Sequence, residues 1–152
     1  MEFKKLFQRG RIGTMEIRNR IVVGPMNTGY SDGGQDKWRY TDRHTRLLSS
    51  WAKGGVGLII QAHIKVESEI DKEGAFSRYM VLDRDDWIGR LYFLTDTVHR
   101  YGAKIAIQLS AGCGRIATPV PGYQPVGPSP NPHIFHPELI PEFCTQPPFM
   151  SS

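Results

Sequence analysis

An α/β fold of parallel, βαβαβ type is what this sequence predicts. Three apolar runs carry the prediction: Arg20–Asn27 (RIVVGPMN), Gly55–His63 (GVGLIIQAH) and Lys104–Ser110 (KIAIQLS). Each closes on polar or small residues, and a stretch of helical period separates each run from the next. In such units the C-terminal strand ends line the ligand crevice. The 152 residues hold three such steps, so the sequence supplies one side of a ligand-facing surface.

The elements follow in order. Arg11–Ile17 alternates weakly around Gly13-Thr14 and reads as a small hairpin ahead of the first long strand. Strand one runs from Ile21 to Gly24 and stops at Pro25, which has no N–H to give a ladder. Tyr30–Gly34 is a turn-rich loop. The first helix is predicted from Thr41 to Lys53, with Leu47, Leu48 and Trp51 as its apolar stripe and Gly54-Gly55 as its stop. Strand two, Val56 to Ile60, is apolar on both faces, as a buried parallel strand is. A loop is expected from Lys65 to Asp83. The second helix is predicted from Asp86 to Tyr101, with Asp85 as N-cap, Ile88, Leu91, Thr95 and Val98 as the buried stripe, and Gly102 as terminator. Strand three follows at once.

Past Gly114 the composition changes. Ten of the eleven prolines lie between Pro119 and Pro148, and neither a helical nor a strand period survives there. The chain therefore divides into an α/β part, 1–118, and a Pro-rich loop with an atypical tail, 119–152. A stretch of that kind is a functional loop or disorder.

Composition narrows the function classes. No run approaches the roughly 18 apolar residues of a membrane span. Met1–Leu6 lacks the apolar core of a secretory signal, so the expectation is a cytoplasmic protein. The net charge of +4 is spread along the chain, which fits a solvated surface and not a nucleic-acid stripe. Cys113 and Cys144 form no CxxC and read as free thiols. His133 and His136 stand three apart but between Pro132 and Pro137, which argues against a regular helix and against a metal site.

The strand ends supply amides and backbone groups. Pro25-Met26-Asn27 follows strand one, Gln61-Ala62-His63 follows strand two, and Gln108 closes strand three. Amides donate and accept, which suits a flat heterocycle with alternating C=O and N–H groups, such as an isoalloxazine or a pyrimidine. No nucleophile–base pair and no carboxylate pair occurs at these ends, so no catalytic residue is assigned. Plainer readings exist for each: Gln108 as a strand-end amide satisfying backbone, Met26 as core filler, His63 as a solvated loop residue, Tyr30 as a turn aromatic. Gly112-Cys113-Gly114-Arg115 resembles a phosphate-binding turn but lacks the Walker lysine and the full dinucleotide fingerprint.

Several segments, in order and at matching spacing, resemble the N-terminal part of the old yellow enzyme family, the NADH:flavin oxidoreductases. They are Leu6-Phe7, Ile12–Val22 (IGTMEIRNRIV), Gly24–Thr28 (GPMNT), Ala52–Ile60 (AKGGVGLII) and Val98–Leu109 (VHRYGAKIAIQL). The ending Gln108–Arg115 (QLSAGCGR) is similar to the branch of 2-enoate reductases and bile-acid or steroid reductases.

The resemblance implies a partial (β/α)8 barrel, about the first three βα units with an N-terminal hairpin. It implies FMN at the C-terminal face and NAD(P)H as reductant, with an Fe–S cluster and FAD only in a longer parent chain. Carried over by position, Pro25, Met26 and Asn27 lie along the flavin, Ala62 offers its backbone N–H, Gln108 bonds the pyrimidine ring, and Tyr30 is a substrate-side contact. The implied reaction is reduction of an activated C=C bond in an enone or enoate. The substrate-carbonyl ligands, proton donor and phosphate-binding strands are expected after residue 152, and Glu142–Ser152 reads as a truncation or shifted tail, so the chain is expected to be inactive alone. The alternative is a non-catalytic half-barrel module that pairs with another chain. Unpaired barrel edges also allow self-association.

Overall fold

The computed structural model describes residues 3–28, 30, 40–68 and 79–112. The hairpin expected around Gly13-Thr14 is present: β1 (Gly10–Ile12) pairs antiparallel with β2 (Met15–Ile17), and Gly13 turns the chain at φ 58°. A parallel sheet follows in the order β3 (Val22–Val23), β4 (Leu58–Lys65), β5 (Lys104–Ser110). The crossovers are α1 (Asp42–Lys53) and α2 (Trp87–Arg100). The architecture is thus an N-terminal hairpin followed by alternating β and α units in an open, barrel-like sheet.

The helices cover one face of the sheet. Leu48 and Ala52 of α1, Leu94 and Val98 of α2, and Ile59 and Ile64 of β4 form a single buried cluster, extended by Tyr40, Met80 and Ala103. Val23, Ile105 and Leu91 pack against it. Every large apolar side chain removed from water here contributes about 1.5–3 kcal/mol, which is why α1 and α2 sit on the sheet at all.

α1 begins and ends where its sequence says. Thr41 is the N-cap, and a capping box joins it to His44 at the third helical position. The helix closes through Gly54 N–H to Ser50 O (2.9 Å), and Gly55 then takes φ 107°, a backbone region that side chains disfavour.

Four expectations need correction. The second strand starts two residues later than expected and runs five further, to Lys65, so Gln61, Ala62 and His63 lie inside it. Asp86, not Asp85, precedes α2, and its side chain makes no capping bond. The buried positions of α2 are accordingly Trp87, Leu94 and Val98, while Ile88 is exposed and Thr95 is half-buried. A one-residue shift turns a helical stripe by about 100°, enough to move Ile88 to solvent. The first strand is also shorter than expected, since only Val22–Val23 pair. Residues 119–152, with His133, His136 and Cys144, and also Cys113, lie outside the described residues.

One arginine ties the lower end of the fold together. Arg18 donates from Nε to Val56 O (3.0 Å), from Nη2 to Ala52 O (2.6 Å) and from Nη1 to Tyr101 O. Ala52 lies in the last turn of α1 and Tyr101 is the C-cap of α2, so one guanidinium meets the negative ends of both helix dipoles. Asn19 adds a second link: its Nδ2 donates to Gly55 O (2.7 Å) and its Oδ1 accepts from Ile21 N–H (3.1 Å). Gly57 packs directly on this turn, where a Cβ would overlap the Asn19 carbonyl and lie 2.8 Å from its Oδ1.

Arg18→Met, which keeps the stem and removes the guanidinium, is expected to lower stability by about 2–4 kcal/mol, read as a fall in the urea midpoint. Retention of the wild-type midpoint would refute the clamp. Gly57→Ala is expected to cost about 1–3 kcal/mol through overpacking against Asn19, whereas Gly89→Ala, at a helical position with open space around the added methyl, should not destabilise.

Candidate functional site

The sheet register brings the strand-end residues to one level. Val23, Ile59 and Ile105 form a paired row across β3, β4 and β5. Met26, Ala62 and Gln108 each stand three residues beyond that row. The row itself packs on the helix core. Within β4 and β5 side chains alternate, so an odd offset turns Ala62 and Gln108 to the other face, away from the helices. Pro25, Met26, Asn27 and Gln108 are exposed, while Ala62 is buried.

A β-bulge stands in the middle of this level. Gln61 pairs with Ile107, and Ile64 pairs with Leu109. β4 therefore places Ala62 and His63 opposite the single residue Gln108, the two-against-one count of a bulge. His63 takes φ 35°, a conformation uncommon for any residue but glycine. Its N–H leaves the ladder and donates to the side-chain Oε1 of Gln108 (3.4 Å). That bond orients the amide, with Oε1 toward β4 and the Nε2 donor away from it. Tyr79 packs edge-on against the His63 ring at 4.2 Å. Gln61, buried beside the bulge, donates from Nε2 to Ala62 O (3.5 Å).

Tyr30 belongs to a different group. Its ring stands edge-on to His44 (5.6 Å), and the Arg43 guanidinium lies over it at 3.9 Å. Tyr40 also stands edge-on to His44, at 5.7 Å. His44 Nδ1 lies 3.3 Å from Thr41 N–H and 3.0 Å from Thr41 Oγ1. Accepting the backbone proton at Nδ1 places the ring hydrogen on Nε2. Burial, and then the Arg43 charge, hold His44 below the usual histidine range. Burial likewise raises the Tyr40 phenol. Among the described residues neither Tyr40 OH nor His44 Nε2 has a hydrogen-bond partner.

The geometry therefore joins Met26, Ala62 and Gln108 on one level, with Pro25 and Asn27 on the segment that leads out of β3. It sets Tyr30 on the first turn of α1. Sequence reading missed His63 as the residue that orients Gln108, and Arg43 and His44 as the holders of Tyr30. No periodicity marks them: a backbone N–H carries the first role, and the others act across a loop. No group of three or more His, Cys, Asp or Glu side chains among the described residues gathers as a metal would need. Nor is any described helix long and apolar enough to cross a membrane.

Residues 5–136 match the model of the NADH:flavin oxidoreductase / NADH oxidase family. The chain is 40% identical over 136 residues to an NADH oxidase of Thermoanaerobacter brockii and 38% identical over 141 residues to a cinnamate reductase of Clostridium sporogenes. These alignments take in 88% and 90% of this chain but 20% of each relative. It is also 37% identical over 118 residues to an NADPH dehydrogenase of Listeria welshimeri, covering 78% of this chain and 33% of that one. The chain thus spans about a fifth to a third of these three relatives. Among solved structures, the old yellow enzyme homologue of Zymomonas mobilis superposes with a TM-score of 0.61 at 24% identity, covering 84% of this chain and 34% of that one. Histamine dehydrogenase from Rhizobium sp. 4-9 superposes at 0.65 and 22% identity, covering 86% and 19%. At such identities the structures speak to the fold.

The His44 environment has a pH consequence. A histidine whose folded pKa is lowered stays neutral in the native state, while the unfolded chain takes up a proton near pH 6.5. The stabilisation is complete above that pH and is lost as the pH falls through it toward the lower folded value. Unfolding free energy measured in urea from pH 7.5 to 5 should drop more steeply for the wild-type chain than for His44→Gln. Equal slopes would show that folding does not lower the His44 pKa.

Proposed function

Because the chain belongs to the NADH:flavin oxidoreductase / NADH oxidase family, we propose that the level of Met26, Ala62 and Gln108 is one wall of an FMN site. The reaction class is NAD(P)H-dependent reduction of an activated C=C bond in an enone or enoate. The observation that carries the reading is the alignment of these residues across three parallel strands, with the Gln108 amide oriented by His63 N–H.

The residues fit a flat, amide-edged heterocycle. Ala62 has no side chain beyond Cβ to block close approach to β4, and the bulge breaks the regular ladder beside it. Gln108 keeps Nε2 as a donor, and its Oε1 retains a second lone pair, so it meets a ring edge with both C=O and N–H groups. Pro25, Met26 and Asn27 would flank the ring, with Asn27 toward its reactive edge. Tyr30, held by Arg43 and His44, would stand on the substrate side. When bound, FMN would supply the redox chemistry, hydride transfer from NAD(P)H to the alkene, with a proton completing the product.

The cinnamate reductase among the relatives supports an enoate as the substrate class, as does the QLSAGCGR ending for the 2-enoate and steroid-reductase branch. The groups that hold the phosphate, the substrate carbonyl and the transferred proton are assigned to parts of the barrel outside residues 1–152. Residues 1–152 by themselves should accordingly bind FMN weakly and reduce no enone.

Titration with FMN, followed by flavin fluorescence, tests this. Weak saturable binding is expected, with Gln108→Leu weakening it by about tenfold, the loss of one or two amide hydrogen bonds. Enone reduction with NADH should not exceed that of free FMN. Binding unchanged in Gln108→Leu would overturn the assignment of this wall, and turnover with a stoichiometric flavin would overturn the inactivity of the isolated chain.

A further inference from the structure

We propose that Lys65 sets a buried positive charge beside the pyrimidine edge of the bound flavin and thereby favours the reduced cofactor over the oxidised one. The inference rests on the FMN reading given above and adds to it a residue that tunes the cofactor's reduction potential.

Lys65 is the last residue of β4 and is 0% exposed. Lysine is almost never fully buried unless paired, and Lys65 is not without a partner in the fold. A buried lysine that has a partner keeps its charge, where an isolated one sheds its proton. Its neighbours in sequence, Ile64 and Val66, are apolar. A methionine would fill the same volume without the cost of taking an ion out of water. That cost falls at the C-terminal end of the strand, the end that carries the candidate site.

Two pairings fix the face on which Lys65 stands. It pairs with Ser110 of β5 on one side and with Val81 on the other. The second pairing is held by Lys65 N–H to Met80 O (2.8 Å) and by Leu82 N–H to Lys65 O (2.8 Å). Met80 and Ile64 belong to the helix-side core, and Leu82 and Ile105 pack against it. Each of these four lies an odd number of residues from Val81, Lys65 or Ser110 in its own segment. The row of Val81, Lys65 and Ser110 therefore turns away from the helices, to the face of Ala62 and Gln108. Ser110 stands two residues beyond Gln108, about 6.6 Å along β5. Over that step the face changes from exposed at Gln108 to buried at Lys65 and Val81. A charge withdrawn from water is weakly screened, so it acts across one ladder step with a strength that an exposed lysine lacks.

The effect on a flavin follows from the electron count. Reduction by NAD(P)H delivers a hydride, which is two electrons and one proton, and NAD(P)+ leaves. The isoalloxazine gains one negative charge, carried on its pyrimidine ring until a further proton neutralises it. In the proposed site the Gln108 amide marks the edge of that ring, and Lys65 is the cation of the next row. An opposite charge at that distance favours the charged form of its neighbour. The oxidised ring is neutral and gains no such stabilisation.

The test compares the affinities of oxidised and dithionite-reduced FMN for the full chain by anaerobic equilibrium dialysis. The preference for reduced FMN should fall by about tenfold in Lys65→Met, which keeps the stem and removes the charge. It should return in Lys65→Arg. A second measurement needs no variant: reduced FMN bound to the wild-type chain should lose its ring proton at a lower pH than free reduced FMN, followed by absorbance. An unchanged preference in a Lys65→Met chain with wild-type circular dichroism overturns the inference and leaves the FMN site standing, as does an identical titration of bound and free reduced FMN. Binding of neither redox state overturns the FMN site and the inference together.

Discussion

The Arg18 guanidinium is the constraint on which the other elements depend. The last carbonyls of a helix have no partner within it, and here two helices turn those ends toward one side chain. The third acceptor, Val56 O, lies on the segment that leads into β4. One residue of the N-terminal segment therefore sets where both crossovers stop and where the central strand starts. Asn19 extends the same clamp to the entry of β3 through Gly55 and Ile21. Because strand and helix starts at one end fix where they finish at the other, the placement of Met26, Ala62 and Gln108 on one level is inherited from a contact at the far end of the sheet.

The bulge in β4 reconciles that level with the core. Ile59 and Ile64 lie in one buried cluster although they are five residues apart. In a regular strand an odd separation puts two side chains on opposite faces. The additional residue between Gln61 and Ile64 resets the alternation, so both isoleucines reach the helices. The same insertion turns His63 into a left-handed conformation and frees its N–H for Gln108. Core packing and ligand-wall geometry are thus two results of one irregularity.

Much of the fold was legible because its punctuation is local. Thr41 opens α1 and Gly54-Gly55 close it, and Gly102 precedes an apolar run that becomes β5 with the expected limits. The second half of β4 was not legible. Gln61-Ala62-His63 is polar or small and looks like a strand ending, and a bulge leaves no period from which to read it. The start of α2 failed for a related reason: Asp85 and Asp86 are adjacent and equally good caps by type, and tertiary burial of Trp87 decides between them. For the candidate site, spacing was enough to bring Met26, Ala62 and Gln108 to one level. The contacts that fix their orientation, His63 N–H on Gln108 and Arg43 over Tyr30, are made by a backbone atom and across a loop, where residue type carries no signal.

The reset of alternation at Ala62–His63 also bears on how this segment can vary. A larger side chain at Ala62 would close the approach to β4, a local effect. A change of length acts on the whole strand beyond it. Removing one residue would return Ile64 and Lys65 to the opposite face, exchanging the buried and ligand-facing sets beyond that point. Adding one would do the same from the other direction. Drift in this strand is therefore expected to keep residue number, the reverse of what surface loops permit.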